Sequence, residues 1–286
     1  MGAIREKMRA DLDLRGCALT TKKEYLQRAQ NFVAFHGRSP ALMGEPEVRQ
    51  FLLHLVREKK VGPATVHMYV AAIKFLYVTT LGRPEAVAKI PWPKRPQTLP
   101  DIVTGHEVEQ LFHKIRSLMH RAIVMTAYAA GLRISESCSL GIFDIDSKRM
   151  LIHVHEGKRS KDRYVMLSQR LLDVLRAYFR SARPQGPYLF PGAIPGRPIT
   201  TSAVQRVLKK AVVECGFTKH VTAHSLRHGF ATHLLETGEG IRTIQRLLGH
   251  ASIQTTARYT KVTERHIGRT KSPLDLIGTK KGEIFR

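Results

Sequence analysis

The stretch from residue 222 to residue 260, TAHSLRHGFATHLLETGEGIRTIQRLLGHASIQTTARYT, constrains the chain most, because it combines two helix patterns with several phosphate-binding side chains. Thr222 suits a helix N-cap, and apolar residues then recur at helical spacing until Gly238. A second short helix pattern stops at Gly249, because glycine readily takes the left-handed conformation that ends many helices. The sequence therefore predicts two helices joined by a short turn.

Four side chains in this stretch carry groups that suit phosphate chemistry. His224 and Arg227 stand three positions apart, so a helix places them on one face. His250 lies just beyond the second helix, and Tyr259 comes nine positions later. Arginine binds phosphate oxygens with paired N–H bonds, imidazoles move protons, and a phenol can attack phosphorus. A phosphodiester transition state requires a second fork of donors, and Arg133 in AAGLRISES offers it.

The motifs GLRISE, HSLRH and LLGH and the following tyrosine appear in the order, and at about the spacing, of the tyrosine recombinases. Over roughly residues 100–262 the chain resembles this family of phage integrases and Xer-type recombinases, and in particular small Xer-like integrases of transposons and other mobile elements. The resemblance implies site-specific recombination or integration of DNA through a 3′-phosphotyrosyl intermediate, with no cofactor and no metal. It also implies a set of catalytic residues, namely Arg133, Lys158, His224, Arg227, His250 and Tyr259.

Each residue of this set has an implied role. Arg133 and Arg227 would bind the scissile phosphate, and Tyr259 would attack it. His224 is expected to act as general acid or base toward the tyrosine, and His250 to donate a hydrogen bond to the phosphate. His228 lies on nearly the same helix face as His224, so the acid–base role could fall to either, although the resemblance favours His224.

Two further assignments concern charged neighbours of the set. Lys158 lies in the turn of a predicted β-hairpin and would protonate the departing 5′ oxygen, with Lys161 in the same turn as an alternative. Glu136 follows Arg133 by three positions, so it could pair with the arginine and orient it. An ordinary carboxylate at a helix start is the rival interpretation of Glu136.

Composition indicates the partner and the compartment. A net charge of +24, spread over both halves of the chain, predicts a polyanion, and the motifs make that polyanion double-stranded DNA. The chain contains no run of 18 apolar residues and no apolar signal region at its start, so we expect no membrane association. Three scattered cysteines fit reduced thiols. Together these features predict a cytoplasmic, nucleoid-associated protein.

The histidines raise the question of a metal site. His153 and His155 alternate on one face of a predicted strand. No cysteine or carboxylate at a suitable sequence spacing completes a ligand set around them. Surface or structural histidines are therefore the preferred interpretation, and no metal is expected.

The hydrophobic pattern and the positions of the prolines predict two domains, a linker between them and a C-terminal tail. Residues 1–90 read as a helical bundle, with Pro46 and Pro63 at helix starts and a Thr21–Glu24 capping box, and they resemble the SAM-like core-binding domain of integrases. Residues 91–100 hold four prolines and predict an extended linker. Residues 101–262 would form the catalytic domain, and residues 263–286 a C-terminal tail.

The predicted fold class is mainly α with a small β-hairpin, an α+β catalytic domain behind a helical one. In the catalytic half, helices are predicted from Gly105 and over 120–130, 168–182 and 200–215. The segments 149–154 and 164–167 alternate on either side of a polar turn, as a hairpin does.

The resemblance implies a homotetramer that joins two DNA sites. The tail could dock on a neighbouring protomer or fold back on its own domain. Two other functions fit part of the pattern. A type IB topoisomerase shares the constellation of catalytic residues but relaxes DNA as a monomer, and a non-catalytic DNA-binding protein could keep the fold alone.

Overall fold

The computed structural model describes residues 2–94, 102–155, 162–250, 252, 253 and 256. These residues are mainly helical, with one three-stranded antiparallel sheet. The predicted fold class is therefore confirmed. The chain divides into two compact units, Met1–Thr98 and Leu99–Arg286. Across the described residues, no helix is both long and apolar enough to cross a membrane.

The N-terminal unit is a bundle of helices around an aromatic core. Its elements are α1 (Gly2–Leu14), α2 (Leu19–His36), a 3₁₀ turn (Pro40–Leu42), α3 (Glu45–Arg57), α4 (Pro63–Phe75), a π-helical turn (Leu76–Thr80) and α5 (Glu85–Ala88). Phe32 is fully buried and meets the rings of Phe51 and Tyr77 edge to face, at centroid distances of 5.5 and 6.2 Å. Aromatic pairs favour this arrangement, so the three rings fix how α2, α3 and the π-helical turn after α4 pack.

Helix starts in this unit confirm two predictions and correct one. Pro46 lies in the first turn of α3 and Pro63 begins α4. The prediction of a Thr21–Glu24 capping box is wrong, because α2 begins earlier, at Leu19. The residue before it, Ala18, is extended and its side chain makes no capping hydrogen bond. Glu24 lies inside α2 and its carboxylate pairs with Arg28 one turn on.

The C-terminal unit carries the sheet and the remaining helices. Its elements are α6 (Gly105–Lys114), α7 (Leu118–Ala129), α8 (Ile134–Cys138), a 3₁₀ turn (Ile142–Asp144), β1 (Ile145–Asp146), β2 (Leu151–Val154), β3 (Arg163–Met166), α9 (Gln169–Ala182), α10 (Thr201–Glu214), α11 (Ala223–Glu236) and α12 (Ile241–Leu248). The predicted hairpin is confirmed as β2 and β3, with Val154 opposite Arg163. Strand β1 was not predicted, since two residues carry no readable alternation.

Helix α7 lies in the centre of this unit, and its residues from Ala122 to Ala127 are all buried. Ser117 caps α7, so the helix starts two residues before the predicted His120. A separate apolar cluster joins α11 to α12 through Phe230, Leu235 and Leu248 among others. This cluster holds the end of α12 against α11 and thereby places His250 near His224 at the start of α11.

Candidate active site

A tight turn after α7 delivers Arg133. Gly131 has a φ of +63°, which glycine adopts without the steric cost that other residues bear. A Cβ on Gly131 would lie 2.4 Å from Cδ1 of Phe230, so the turn also passes close to α11. The chain then reaches Arg133, whose backbone N–H donates to Oε2 of Glu136 at 2.8 Å and begins α8.

We expect Gly131→Ala to lower the free energy of unfolding of the C-terminal unit by about 2–5 kcal/mol, since the left-handed backbone costs about 1–2 kcal/mol and overpacking about 1–3 kcal/mol. Gly216→Ala is the matched control, because Gly216 has a φ of +70° with nothing within 4 Å of an added Cβ. The control should lose only about 1–2 kcal/mol. Urea denaturation followed by circular dichroism measures both losses, and equal losses would show that the contact with Phe230 is unimportant.

Glu136 is the anionic centre of the site. Its carboxylate accepts from Nη1 of Arg133 at 2.5 Å and from Nη2 of Arg163 at 2.8 Å, and Nη1 of Arg227 lies 3.7 Å away. Burial acts to raise the pKa of Glu136, but the hydrogen bonds from Arg163 and from the backbone of Arg133 outweigh it and hold the pKa below its usual value. Glu136 is therefore ionised at neutral pH and balances a group of arginines.

Arg227 is built into the core. Its side chain is 2% exposed, and its guanidinium donates to the carbonyl of Gly131 at 2.8 Å and to the carbonyl of Leu248. These bonds connect α11 to the turn after α7 and to the end of α12. By contrast, the side chain of Arg133 is 44% exposed and reaches the carbonyl of Gly249 at 3.4 Å. The two arginines thus differ in how much of each fork reaches solvent.

Arg163 belongs to the same cluster, although no sequence motif indicated it. Its side chain is 9% exposed, and its fork meets both carboxylate oxygens of Glu136 while Nε donates to the carbonyl of Leu247 at 2.8 Å. The one feature of the sequence that could have identified Arg163 is the alternation of inward and outward residues along a strand. Arg163 shares a face of β3 with the buried Val165, so it is a cation at an inward position.

Two imidazoles lie within the field of these arginines. His224 is in the first turn of α11, and burial, Arg227 and Arg133 lower its pKa. His250 follows Gly249, whose φ of +62° ends α12 as predicted. Burial first, and then Arg227, Arg133, His224 and Arg163, lower the pKa of His250 to about 4. Both imidazoles are therefore neutral at pH 7 in the free protein.

The surroundings of each imidazole differ. Nδ1 of His250 lies 3.0 Å from Oγ1 of the buried Thr256. The ring of His228 meets that of His224 at a centroid distance of 4.1 Å. His228 is thus a direct neighbour of His224, as their spacing on the helix predicts.

The structure brings together five of the predicted site residues, namely Arg133, Glu136, His224, Arg227 and His250. The structure bears out both interpretations of Glu136, because its carboxylate pairs with the guanidinium of Arg133 and also accepts the backbone N–H of Arg133 at the start of α8. Lys158, its alternative Lys161, and Tyr259 lie outside the described residues. Their predicted roles remain predictions.

Known proteins match most of the chain. The sequence pattern of the phage integrase family matches residues 101–266, and that of the phage integrase N-terminal SAM-like domain matches residues 4–86. A Sinorhizobium fredii protein described as an integrase/recombinase is 44% identical over 97% of this chain and 90% of its own length. Tyrosine recombinase XerA of Pyrococcus furiosus is 36% identical over 96% of this chain and 94% of its own length.

Solved structures share the fold. A crystal structure of XerA recombinase superposes with a TM-score of 0.55 at 26% identity, covering 94% of this chain and 100% of that one. A lambda integrase dimer bound to a core site gives a TM-score of 0.74 at 17% identity, over 95% of this chain and 98% of that one. At that lower identity the likeness supports the fold alone.

Fold, motifs and relatives together define a tyrosine-type enzyme of site-specific DNA recombination, a class that breaks and rejoins DNA through a phosphotyrosyl link. The chain belongs to the phage integrase family.

Proposed function

We propose that Arg133, Lys158, His224, Arg227, His250 and Tyr259 form the catalytic site of this recombinase and that Glu136 orients its arginines. The proposal rests on the convergence of His224 and His250 with Arg133 and Arg227, the two arginines that meet Glu136, because these groups come from separate segments of the chain. A cationic, partly buried cluster with neutral imidazoles suits the stabilisation of a pentacoordinate phosphorane-like transition state.

The two arginines have different roles toward the scissile phosphate. Arg133, the more exposed fork, contacts the non-bridging oxygens of the scissile phosphate directly. Arg227 is fixed by the carbonyls of Gly131 and Leu248, so it supplies positive charge at a set position with little loss of side-chain entropy on binding. Glu136 keeps both guanidiniums in place before DNA arrives.

The imidazoles handle the protons. His224, neutral at pH 7, accepts the phenolic proton of Tyr259 as the phenol attacks. His250 donates Nε2–H to a phosphate oxygen, and this tautomer requires Nδ1 to accept from the hydroxyl of Thr256. His228 supports the ring of His224.

Cleavage transfers the phosphoryl group from the 5′ oxygen of the DNA to the oxygen of Tyr259. The bond between the Tyr259 oxygen and phosphorus forms while the bond from phosphorus to the 5′ oxygen breaks. The phenolic proton passes to His224, and Lys158 gives a proton to the departing 5′ oxygen. A 5′ hydroxyl of a partner strand then attacks the phosphotyrosine and reverses the step, so the energy of the phosphodiester bond is conserved.

The working assembly we infer is a homotetramer that holds two double-stranded DNA sites, acting on the nucleoid in the cytoplasm. A formal charge of +24 favours binding to DNA phosphates. The Tn1549 transposon integrase was solved in complex with circular intermediate DNA, and lambda integrase as a dimer on a core site, and both share this fold. Residues 1–90 would bind the DNA core sequence and residues 101–262 would cleave it.

Covalent trapping on randomised DNA tests the proposal, because the protein itself then selects its target sequence. The protein is incubated with a pool of nicked duplexes whose core sequence is randomised, so that a cleaved strand fragment diffuses away and the adduct persists. Denaturing gels should show a covalent complex, and mass spectrometry should place the linked nucleotide on Tyr259. Tyr259→Phe, which lacks the hydroxyl, is the matched control. Tight binding without an adduct, or an adduct on another residue, would overturn the proposal.

Binding of the selected duplex should strengthen as the pH falls from 7 towards 5. A bound phosphate favours protonated imidazoles, so it raises the pKa of His224 and His250 above the lowered values of the DNA-free protein, where His250 is near 4. Protons are therefore taken up on binding, and affinity gains as the pH falls through the bound-state pKa values. Glu136, with its lowered pKa, stays ionised in this range.

Fluorescence anisotropy at constant ionic strength measures this effect, with Tyr259→Phe protein so that cleavage does not interfere. Adding His224→Asn and His250→Asn should flatten the pH dependence, leaving only the contribution of the other histidines. An unchanged slope in that variant would show that neither imidazole meets the phosphate.

A further inference from the structure

A second cluster of ionisable groups lies on the sheet, at residues that the cleavage chemistry does not use. His153 is on β2 and His155 follows the strand, so both project from the same face. Their rings meet at a centroid distance of 4.1 Å. Asp144, at the end of the 3₁₀ turn before β1, places Oδ1 2.9 Å from Nε2 of His155. Three donor groups from two segments thus converge.

We propose that Asp144, His153 and His155 form a binding site for a divalent transition-metal ion, with zinc as its ordinary occupant. One ligand atom from each residue lies within 4.8 Å of the others. Tetrahedral zinc with bonds of about 2.0–2.2 Å needs ligand atoms about 3.4 Å apart, so modest side-chain rotation closes the set. Two imidazoles and a carboxylate are ligands that zinc accepts readily.

Local structure fixes two of the ligands in advance. The other oxygen of Asp144 accepts the backbone N–H of Gly141 at 2.7 Å, so this carboxylate is anchored with Oδ1 directed at His155. The ring of His153 stacks on that of Tyr164, its cross-strand partner, at 4.7 Å and 17°. Fixed ligands lose little entropy when a metal binds, which favours binding at this place.

Asp162 supplies the outer partner that metal-binding histidines usually have. Its Oδ2 lies 3.1 Å from Nδ1 of His155 and 3.4 Å from Nε2 of His153. When Asp162 accepts the Nδ1 proton of His155, Nε2 of that ring is left as the ligand nitrogen, on the side of Asp144. A water molecule would complete the tetrahedron.

The consequence is a cross-link at the base of the hairpin. The metal would tie the end of β2 to the turn that precedes β1. Strand β3, paired with β2, carries Arg163, which holds Glu136. The sequence between β2 and β3 contains Lys158. A metal here would therefore stabilise the support of the cleavage site without entering its chemistry.

Metal binding to the full-length protein, without DNA, tests this inference independently of recombination. Chelator-treated protein is titrated with zinc by isothermal calorimetry and with cobalt by visible absorption. We expect one equivalent of tight binding per chain and a tetrahedral cobalt spectrum without thiolate charge-transfer bands. Zero equivalents in the wild-type protein, or an octahedral spectrum, would overturn the inference.

Variants locate the ion. His155→Gln and Asp144→Asn should weaken zinc binding by more than the roughly 10–100-fold loss that removing an outer partner causes, and Asp162→Asn should stay within that range. His106→Gln is the matched control, because His106 is exposed on α6 and its ring contacts Gln110, one turn further along the same helix. Binding that survives both ligand variants would refute the site. His155 is 60% exposed, so its replacement should leave the fold intact, as circular dichroism can verify.

Discussion

Replacing Arg133 with alanine is expected to slow strand cleavage by about two to three orders of magnitude, the usual cost of removing one preorganised donor from a transition-state site. Its side chain is 44% exposed, so it is the arginine of the cluster that a phosphodiester reaches without rearrangement of the core. Stability should change by no more than about 1 kcal/mol, because Arg163 still binds both oxygens of Glu136. Replacing Arg133 should therefore change the rate of cleavage with little effect on the stability of the fold.

The measurement is a single-turnover cleavage rate on a nicked duplex with protein in saturating excess, so that weaker binding does not contribute. Arg133→Lys keeps the charge but not the planar fork, and should recover only part of the rate. Arg170→Ala is the matched control, since Arg170 is an exposed arginine whose Nη2 pairs with Oε2 of Glu109 at 2.7 Å. A rate within about threefold of wild type for Arg133→Ala would remove Arg133 from the proposed site.

Local signals predicted the elements that present the site. Thr222 accepts from the backbone N–H of Ser225 and starts α11, and Gly249 ends α12 in the left-handed conformation, both as the sequence indicates. Such caps depend on neighbours within a few residues, so they can be read before the fold is known. Helical spacing likewise predicted that His224 and Arg227 share one face of α11. Their convergence with Arg133 and His250 was predicted from what a phosphodiester transition state requires and from the resemblance to the recombinases.

Contacts between distant segments could not be predicted in the same way. Arg163 pairs with Glu136 across 27 positions, and its inward direction depends on the register and burial of β3. Asp144 meets His155 across 11 positions because β1 and β2 are paired, and β1 is two residues long. A search for metal ligands by sequence spacing around His153 and His155 therefore had no means of finding Asp144.

The N-terminal helix shows another limit. Helix α1 buries only Met8 and Leu12, so its apolar stripe is too sparse to stand out from a polar terminus. The false capping box at Thr21 has a related cause. Several residues near the start of α2 could begin a helix, and the residues that pack decide among them.

Glu136→Gln should lower the free energy of unfolding of the C-terminal unit by about 3–5 kcal/mol, the range for removing one partner of a buried ion pair. Glu136 is 9% exposed and is the carboxylate that meets Arg133, Arg163 and Arg227. The amide keeps the shape but not the charge, so the buried guanidiniums of Arg163 and Arg227 would lose the anion that Glu136 provides. Urea denaturation followed by far-ultraviolet circular dichroism measures the loss.

The single tryptophan provides an internal reference for this experiment. Trp92 belongs to the N-terminal unit, where its ring meets that of His67 at 4.7 Å and lies 5.0 Å from Nζ of Lys74. Its fluorescence transition should therefore keep its midpoint in Glu136→Gln while the dichroism transition moves to lower urea. Glu109→Gln, which breaks the exposed pair with Arg170, should cost no more than about 1 kcal/mol. Equal losses in the two variants would mean that Glu136 is not what holds the arginine cluster together.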